Sequence, residues 1–170
     1  MDTMRGMAWS GFFRKHREEA LEDSSLREVL EAGMNAFAKL GKKPMHFVVV
    51  RDPQLLEALP LAHPSAHLVT KATAAIVVCS SQRVARDSPE PWFQECAAAT
   101  ENILLAAHAL GLGAFWLDCH DVEHHEEEIR TLLGIPRDVM PVAIVALGPP
   151  SKRNYQATPF FPERVHLERW

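Results

Sequence analysis

The sequence predicts an α+β domain in which helices pack on a central sheet. Short runs of β-branched and other apolar residues, typical of buried strands, occupy His46–Arg51, Thr73–Cys79, Pro141–Leu147 and, more briefly, Ala114–Leu117. Stretches with the helical spacing of apolar residues separate some of these runs. The order is helix, strand, strand, helix, strand, helix, strand. Because the two kinds of element do not alternate strictly, the pattern favours the α+β class.

The first helix is predicted over residues 25–40. Its apolar residues recur at helical spacing on one face, as Leu26, Val29, Leu30, Gly33, Met34 and Phe37. Ser24 or Ser25 can cap the start of this helix. With Ser25 as the cap, Glu28 stands at the capping-box position. The pattern is that of an amphipathic helix.

A long helix is predicted over Trp92–Leu110, ending at Gly111 in a C′ position. This helix is apolar nearly all round, with the runs Ala97–Ala99 and Ile103–Ala107. A helix of this kind must be covered on most of its sides. In a domain this small, a second subunit is a natural source of that cover.

The last helix is predicted over Val122–Leu133, with Asp121 as its cap and Gly134 after its end. From Gly148 onward the pattern dissolves into prolines, polar residues and aromatics. The apolar residues of this tail are Phe160, Phe161, Val165 and Trp170. Because the tail is too long and too apolar for a free solvated end, we interpret it as an arm wrapped over a surface, such as that of a partner subunit.

The composition is that of one globular domain over residues 1–170, with 47% apolar and 24% charged residues. The net charge is −4 and no basic stripe is obvious, so nucleic acid is not expected as a partner. No apolar run approaches the roughly 20 residues that span a bilayer, and no signal peptide is evident. Cys79, Cys96 and Cys119 form neither a disulfide framework nor a zinc motif. A cytoplasmic protein with reduced thiols and no membrane association is expected.

Several segments occur in an order that a known family shares. His63–Leu68 reads His-Pro-Ser-Ala-His-Leu, and Glu95–Gly113 combines the long apolar helix with a glycine turn. The first resembles the His-Pro-x-Ala-Lys-Met segment of one branch of the FMN-dependent nitroreductase family. The second resembles the long dimer helix of that family. Further segments continue in register: Ala75–Cys79, Leu133–Pro136, Val142–Gly148, Glu163–His166 and Trp170.

The resemblance implies a nitroreductase-like fold. Its parts are a central mixed sheet flanked by helices, a long buried dimer helix, and a C-terminal arm exchanged with the partner. The resemblance also implies a homodimer with two FMN sites at the subunit seam. In the family, a hydride from NADH or NADPH goes to flavin N5 and then to a nitro compound, a quinone or a similar small acceptor. Because the flavin carries the electron chemistry, no catalytic residue is predicted.

The resemblance further implies which N-terminal residues contact FMN. Arg14, with Lys15 beside it, matches the cation that survives from an Arg-Arg-Ser-x-Arg segment of the family. The family's Ala-Pro-Ser-x-x-Asn-x-Gln-Pro-Trp segment has also changed. Its serine, asparagine and glutamine are Ala38, Gly41 and Lys43 here. Side-chain hydrogen bonds to FMN are therefore lost at these cofactor positions, while lysine adds positive charge.

Two further groups of residues complete the predicted cofactor site. One group matches the segment whose backbone N–H groups approach flavin N5 in the family, namely Trp116, Leu117, Asp118 and Cys119. The family carries a cation near residues 158–159 of this chain, where none is present. Lys152 and Arg153 lie a few residues earlier and can take its place.

Two alternatives to an FMN oxidoreductase stay open. The first is a binding or regulatory protein that kept the dimer fold and lost FMN or binds a different ligand. The second is an enzyme that uses the same fold with another cofactor. The lost side chains at Gly11, Phe12, Ala38 and Gly41 favour the first alternative more strongly than the sequence of an ordinary family member would.

Other reactive residues have simpler explanations. Cys119 and His120 are adjacent, and adjacent residues of a strand point to opposite faces, which disfavours a Cys-His nucleophile. His63 and His67 have a spacing found in metal sites, but the family has a lysine at the second position. The acidic run after His124 fits a solvated helix face. No metal is predicted.

Overall fold

Four strands and four α-helices organise the part of the chain that the structure, a computed structural model, describes. That part comprises residues 21–36, 44–62, 69–81, 92–119, 125–150 and 160–170. The helices are α1 (Asp23–Met34), α2 (Pro53–Ala62), α3 (Trp92–Ala109) and α4 (His125–Leu133). The strands are β1 (Met45–Val50), β2 (Ala74–Ser81), β3 (Gly113–Asp118) and β4 (Val139–Gly148). A short 3-10 helix spans Pro162–Arg164.

The strands form one sheet in the order β1-β2-β4-β3, and each neighbouring pair is antiparallel. All four predicted strands are confirmed, with ends that shift by one or two residues. β2 and β3, which α3 connects, run in the same direction, but β4 lies between them and runs against both. A strand inserted in this way leaves no parallel neighbours. The predicted mixed sheet is therefore wrong for the four described strands.

Helices cover both faces of the sheet. On β2, Ile76 and Val78 belong to the core cluster formed with α1 and α3, whereas Val77 and Cys79 belong to the cluster formed with α2 and α4. All eight residues of β2 are buried. Because neither face of this strand meets solvent, alternation with polar residues is unnecessary, which explains its continuous apolar sequence.

α1 packs on α3, and Gly33 marks a close approach between them. A Cβ atom on Gly33 would lie 3.0 Å from both Cγ1 and Cδ1 of Ile103, and 3.2 Å from Cε1 of Phe47. The side-chain amide of Asn102 donates to the carbonyl of Ala32 over 3.1 Å and links the same two helices. Leu26, Val29 and Leu30 of the predicted apolar face lie in the core cluster that includes α3, whereas Met34 is exposed and Phe37 lies outside the described residues.

The limits of α1 differ from the helix predicted over residues 25–40. α1 begins at Asp23 without a side-chain cap, so Ser24 and Ser25 lie inside it and the predicted serine cap is wrong. An ion pair secures this end instead. Arg51 contacts Oδ1 of Asp23 at 2.5 Å and donates to the carbonyl of Leu21 over 3.0 Å. α1 ends at residue 34, and the predicted residues 37–40 lie outside the described part of the chain.

α2, between β1 and β2, is a helix that the sequence analysis does not predict. The carboxylate of Asp52 accepts the backbone N–H two residues later over 2.7 Å. Pro53 is the first helical residue, a position where the missing N–H costs little. Pro60 lies inside the helix and interrupts the expected pattern, although Leu59 is fully buried. The local sequence pattern that indicates this helix is Asp52 followed by Pro53 at its start.

The glycines predicted to end helices do so. Gly111 follows α3 with φ of 77°, and Gly134 follows α4 with φ of 65°. Glycine adopts this left-handed backbone without the steric penalty of a side chain. Within α4, Ile129 is buried. The predicted cap Asp121 and the apolar Val122 lie outside the described residues.

α3 is buried along one side in the single chain. Ala99 and Ile103 are fully buried, whereas Leu105 is half-buried and Ala109 is exposed. Residues 160–170 are largely exposed as well, and Trp170 is 100% exposed. The described part of the chain therefore leaves some of this helix and this tail uncovered. None of the helices in the described ranges combines the length and apolarity that a membrane span requires.

Gly33→Ala is expected to lower the free energy of unfolding by about 1–2 kcal/mol. Overpacking typically costs about 1–3 kcal/mol, and the gain of about 1 kcal/mol in helix propensity offsets part of that cost. The physical reason is the 3.0 Å approach of the new methyl group to Ile103. Urea unfolding followed by circular dichroism measures the change.

The matched second variant is Ile103→Val, which removes Cδ1, one of the two Ile103 atoms that would lie 3.0 Å from the new methyl group. The double variant should lose less stability than the sum of the two single variants, since the two positions are in contact. Additive losses would contradict the close approach of α1 and α3.

Candidate functional site

β3 carries the described part of the predicted cofactor site and lies at one edge of the sheet. It pairs with β4 through Trp116 opposite Val145, Leu117 opposite Ile144 and other pairs along its length. Among the described strands, β3 has no neighbour on its other side. β3 is therefore an edge strand of the described sheet.

A β-bulge lies in β4 beside the end of this edge strand. The β2–β4 register shifts so that Val78 is opposite Ala143 but Cys79 is opposite Pro141, which leaves Val142 as the extra residue. The β3–β4 register is unbroken here, and the carbonyl of Val142 accepts the N–H of Cys119 over 2.9 Å. The local sequence pattern did not single out Val142, although a proline within a strand is a known indication of a bulge.

The hydrogen bond between Cys119 and Val142 shows which backbone donors of β3 face outward. The N–H of Cys119 points toward β4. Hydrogen-bonding directions alternate along a strand, so the N–H of Leu117 also faces β4, whereas those of Trp116 and Asp118 point away from β4. Of the four predicted residues, two thus present backbone donors and the N–H of Cys119 is already satisfied.

The side chains of the same segment divide between the two faces of the sheet. Trp116 is half-buried and packs on the core cluster of α1 and α3, and Asp118 is exposed. Leu117 and Cys119 are buried in the cluster on the opposite face. Alternation along the strand therefore separates the buried thiol from the indole and the carboxylate.

The indole of Trp116 holds a buried donor without a partner. Its Nε1 atom is shielded from solvent and makes no hydrogen bond. A buried donor left without an acceptor costs about 1–3 kcal/mol.

The three cysteines are buried free thiols, as the sequence analysis expects for Cys79 and Cys96. Burial raises the pKa of Cys79 and that of Cys96 to about 12. Burial also raises the pKa of Cys119, and the nearby thiol of Cys79 and the carboxylate of Asp118 add to the rise. Because the nucleophile is the thiolate, Cys119 is unsuited to nucleophilic catalysis at neutral pH.

The other predicted site residues lie outside the described part of the chain. These residues are Arg14, Lys15, Ala38, Gly41, Lys43, Lys152 and Arg153. β4 ends at Gly148, which pairs with Gly113 at the start of β3. Asp118 lies at the other end of β3, about 17 Å away at about 3.4 Å per residue. The chain therefore departs toward residues 151–159 from the end of the sheet opposite to Asp118.

A surface pocket of about 420 Å³ lies between α2 and α4. Its lining residues are Ala58, Ala62, Glu127, Glu128, Thr131 and Leu132. None of them belongs to the predicted site. Within the described ranges, no group of three His, Cys, Asp or Glu side chains is placed to hold a metal ion.

The three thiols are expected to resist iodoacetamide at pH 8 in the folded protein and to react after unfolding in urea, as mass spectrometry would measure. Ser24→Cys, at an exposed position, is the reactive control. Rapid alkylation of Cys119 in the folded protein would contradict its burial.

The free energy of unfolding that these buried thiols contribute should be fully present below about pH 9, where the thiols of the unfolded chain begin to ionise. It should fall toward pH 12, because the folded chain keeps protons that the unfolded chain releases.

The comparisons with known proteins agree with this fold. The model of the nitroreductase family matches residues 61–149. A protein of Methanothermobacter thermautotrophicus, provisionally named an NADH dehydrogenase/NAD(P)H nitroreductase, is 36% identical over 170 residues, which are 100% of this chain and 88% of that protein. An Archaeoglobus fulgidus protein of the same provisional name is 38% identical over 160 residues, 92% of each chain.

Solved structures resemble the chain over its whole length. A Parabacteroides distasonis protein with the same provisional name has a TM-score of 0.89 and 27% identity, covering 100% of this chain and 99% of its own. A Desulfovibrio desulfuricans protein, provisionally named a nitroreductase and solved in complex with FMN, has a TM-score of 0.77 and 27% identity. The match covers 100% of this chain and 98% of that protein. The family model and the two relatives confirm the predicted resemblance: this chain belongs to the nitroreductase family.

Proposed function

We propose that this protein is an FMN-dependent oxidoreductase that passes electrons from NADH or NADPH through the flavin to a small nitro, quinone or similar acceptor. The observation that carries the proposal is the full-length similarity to the Desulfovibrio desulfuricans protein solved with FMN. The names of the two archaeal relatives support NADH or NADPH as the electron donor. Family membership alone makes the protein an oxidoreductase of nitroreductase type.

The chemistry of the β3 edge fits a flavin ring. Along β3, the backbone N–H groups of Trp116 and Asp118 point away from β4. A flavin ring presents ring nitrogens and carbonyl oxygens, which accept such donors. When bound, FMN supplies the acceptance and release of a hydride. The residues of the chain then bind and orient the ring and keep water from it.

The phosphate of FMN would be held by cations from segments outside the described residues. Arg14 is the first candidate, with Lys15 beside it, and Lys43, Lys152 and Arg153 are the others. Arginine binds phosphate with two parallel hydrogen bonds, which makes Arg14 the most suitable anchor of the set. The flavin edge and the phosphate anchor are separate contributions to binding, so each can be tested alone.

A second copy of the chain is proposed to complete the site. Phe160, Leu167 and Trp170 are 77%, 83% and 100% exposed, which is unfavourable for large apolar side chains in water. One side of α3 is uncovered as well, since Ala109 is exposed and Leu105 is half-buried. A homodimer in which each arm packs on its partner would cover both surfaces.

The alternative is a family member that has lost FMN and binds another ligand. Ala38 and Gly41 lack the side-chain donors and acceptors that family members carry there. A charge-assisted hydrogen bond contributes about 1.5–3 kcal/mol, and about 1.4 kcal/mol changes affinity tenfold. Losing two or three such bonds would weaken FMN binding by several orders of magnitude unless lysines such as Lys43 offset the loss.

The purified protein is expected to show the visible absorption band of oxidised flavin, or to acquire it on titration with FMN. Arg14→Ala should raise the Kd for FMN by about 10- to 150-fold, because it removes a charge-assisted contact with the phosphate. The control is Arg137→Ala, which removes an exposed arginine from the turn that follows α4 and should leave the Kd for FMN unchanged. Fluorescence quenching of FMN measures both affinities.

A colourless protein that fails to bind added FMN would contradict the proposed function and favour the alternative. Unchanged affinity in Arg14→Ala, with wild-type protein that binds FMN, would remove only Arg14 from the site. The two results therefore separate the activity from the assignment of one residue.

Deletion of residues 159–170 is expected to weaken the dimer, because it removes the exposed aromatic arm. Sedimentation equilibrium should give a dimer dissociation constant at least tenfold higher than that of the full chain, since the buried area of one aromatic side chain contributes more than about 1.4 kcal/mol. Trp170→Ala should give a smaller change in the same direction. A truncated chain that stays dimeric with the same constant would exclude the wrapped arm.

A further inference from the structure

The first residues of β4 lack part of the hydrogen bonding that holds the rest of the strand. Pro141 has no N–H to donate, and the β2–β4 register shifts at Val142. β3 ends at Asp118, which pairs with Ala143. Among the described strands, residues 139–141 therefore pair with β2 alone. Hydrogen bonds from outside the sheet can compensate for these losses.

Arg130, in the last turn of α4, supplies such hydrogen bonds. Its side chain is only 12% exposed, and its Nε atom pairs with the carboxylate of Glu127 over 3.0 Å. Its Nη1 atom donates to the carbonyl of Pro136 over 2.8 Å and also to the carbonyl of Val139, the first residue of β4. One guanidinium nitrogen thus joins both ends of the turn that leads into β4.

The start of β4 is connected to the candidate site through a short stretch of the same strand. Val139 begins β4, and three residues later the carbonyl of Val142 accepts the N–H of Cys119 over 2.9 Å. That hydrogen bond holds the end of the segment Trp116–Cys119, whose backbone is proposed to contact the flavin. Because the direction of each backbone N–H of β3 follows from its pairing with β4, a displaced Val142 would change the direction of these donors.

We propose that Arg130 is a positioning residue for the flavin site. By fixing the start of β4, it holds the carbonyl of Val142 against the N–H of Cys119, and with it the backbone of β3. Arg130 acts through β4 and not by contact with the ligand. The effect on FMN rests on the proposed function, whereas the effect on the hydrogen bond of Cys119 is independent of any cofactor.

Hydrogen exchange of backbone amides, followed by NMR on the full chain, tests the effect on this hydrogen bond. The probe is the N–H of Cys119. The reference is the N–H of Thr73, which donates to the carbonyl of Leu147 near the other end of β4, also over 2.9 Å. Arg130→Met keeps the apolar stem of the side chain and removes its donors. This variant should speed exchange at Cys119 about tenfold relative to Thr73, which corresponds to about 1.4 kcal/mol of local opening.

Two control variants separate the carbonyl hydrogen bonds from the pairing of charges. Glu127→Gln removes the ion pair of Arg130 and leaves both carbonyl bonds in place. Since Glu127 is 70% exposed and exposed ion pairs contribute little, the ratio of the two exchange rates should stay unchanged. Arg27→Met removes an arginine from an exposed ion pair on α1 and should also leave the ratio unchanged.

Arg130→Lys keeps the test decisive if Arg130→Met does not fold. Its single donating nitrogen can replace only part of what the guanidinium donates. Exchange at Cys119 relative to Thr73 should therefore rise in the same direction as in Arg130→Met, by a smaller factor. An unchanged ratio in Arg130→Lys, with Arg130→Met unfolded, would overturn the proposal.

The same variants then test the effect on the cofactor. Arg130→Met should raise the Kd for FMN by about three- to tenfold, as fluorescence quenching measures, and should shift the visible spectrum of the bound flavin. The spectrum responds because hydrogen bonds to the flavin ring tune its electronics. A residue that only stabilised the fold would lower the Tm and leave this spectrum unchanged. Glu127→Gln should change neither the Kd nor the spectrum.

Equal acceleration at Cys119 and Thr73 in Arg130→Met would mean that Arg130 stabilises the whole fold, and would overturn the positioning role. The same local acceleration in Glu127→Gln would overturn the role of the carbonyl bonds. Faster exchange at Cys119 with an unchanged Kd and flavin spectrum would overturn the connection to the site. Wild-type protein that binds no FMN would overturn the proposed function, while the exchange ratio would still decide whether Arg130 holds the β3–β4 pairing.

Discussion

The structure depends on the antiparallel pairing of β2 with β4, which are buried on both faces. β2 has all eight of its residues buried, and β4 has eight of ten. Two strands shielded in this way need helices on both sides, so α1 and α3 cover one face while α2 and α4 cover the other. β1 and β3 complete the sheet at its edges. The candidate site therefore lies on an edge strand that rests on the most buried pair in the described chain.

The β3–β4 pairing connects this core to the site. It continues in unbroken register past Asp118, where the carbonyl of Val142 accepts the N–H of Cys119. This register determines which backbone donors of β3 face outward. Positioning of this kind suits the proposed function, in which a bound flavin would perform the redox chemistry and the chain would provide orientation rather than a reactive group. The buried, protonated thiols agree with that division of roles.

Much of the fold could be predicted from sequence, because its strands and long helix have strong local patterns. β2 and β4 are continuous apolar runs, and Gly111 and Gly134 end their helices where left-handed backbone is required. α2 could not be predicted in the same way, since Pro60 interrupts its pattern and its stability comes from burial of Leu59. The predicted start of α1 was wrong because the helix begins at Asp23, before either serine, and its first turn contacts Arg51, which is distant in sequence.

For the site, the sequence by itself determined the family, through segments such as Glu95–Gly113 that occur in a shared order, and it located Trp116–Cys119 as a segment of interest. Only the tertiary structure decided what each of these four residues offers. Strand pairing directs the N–H of Cys119 inward, and alternation separates its thiol from Asp118. Burial leaves Nε1 of Trp116 without an acceptor. These properties arise from contacts with β4 and the helices, which are distant along the chain, and a local sequence pattern carries no information about such contacts.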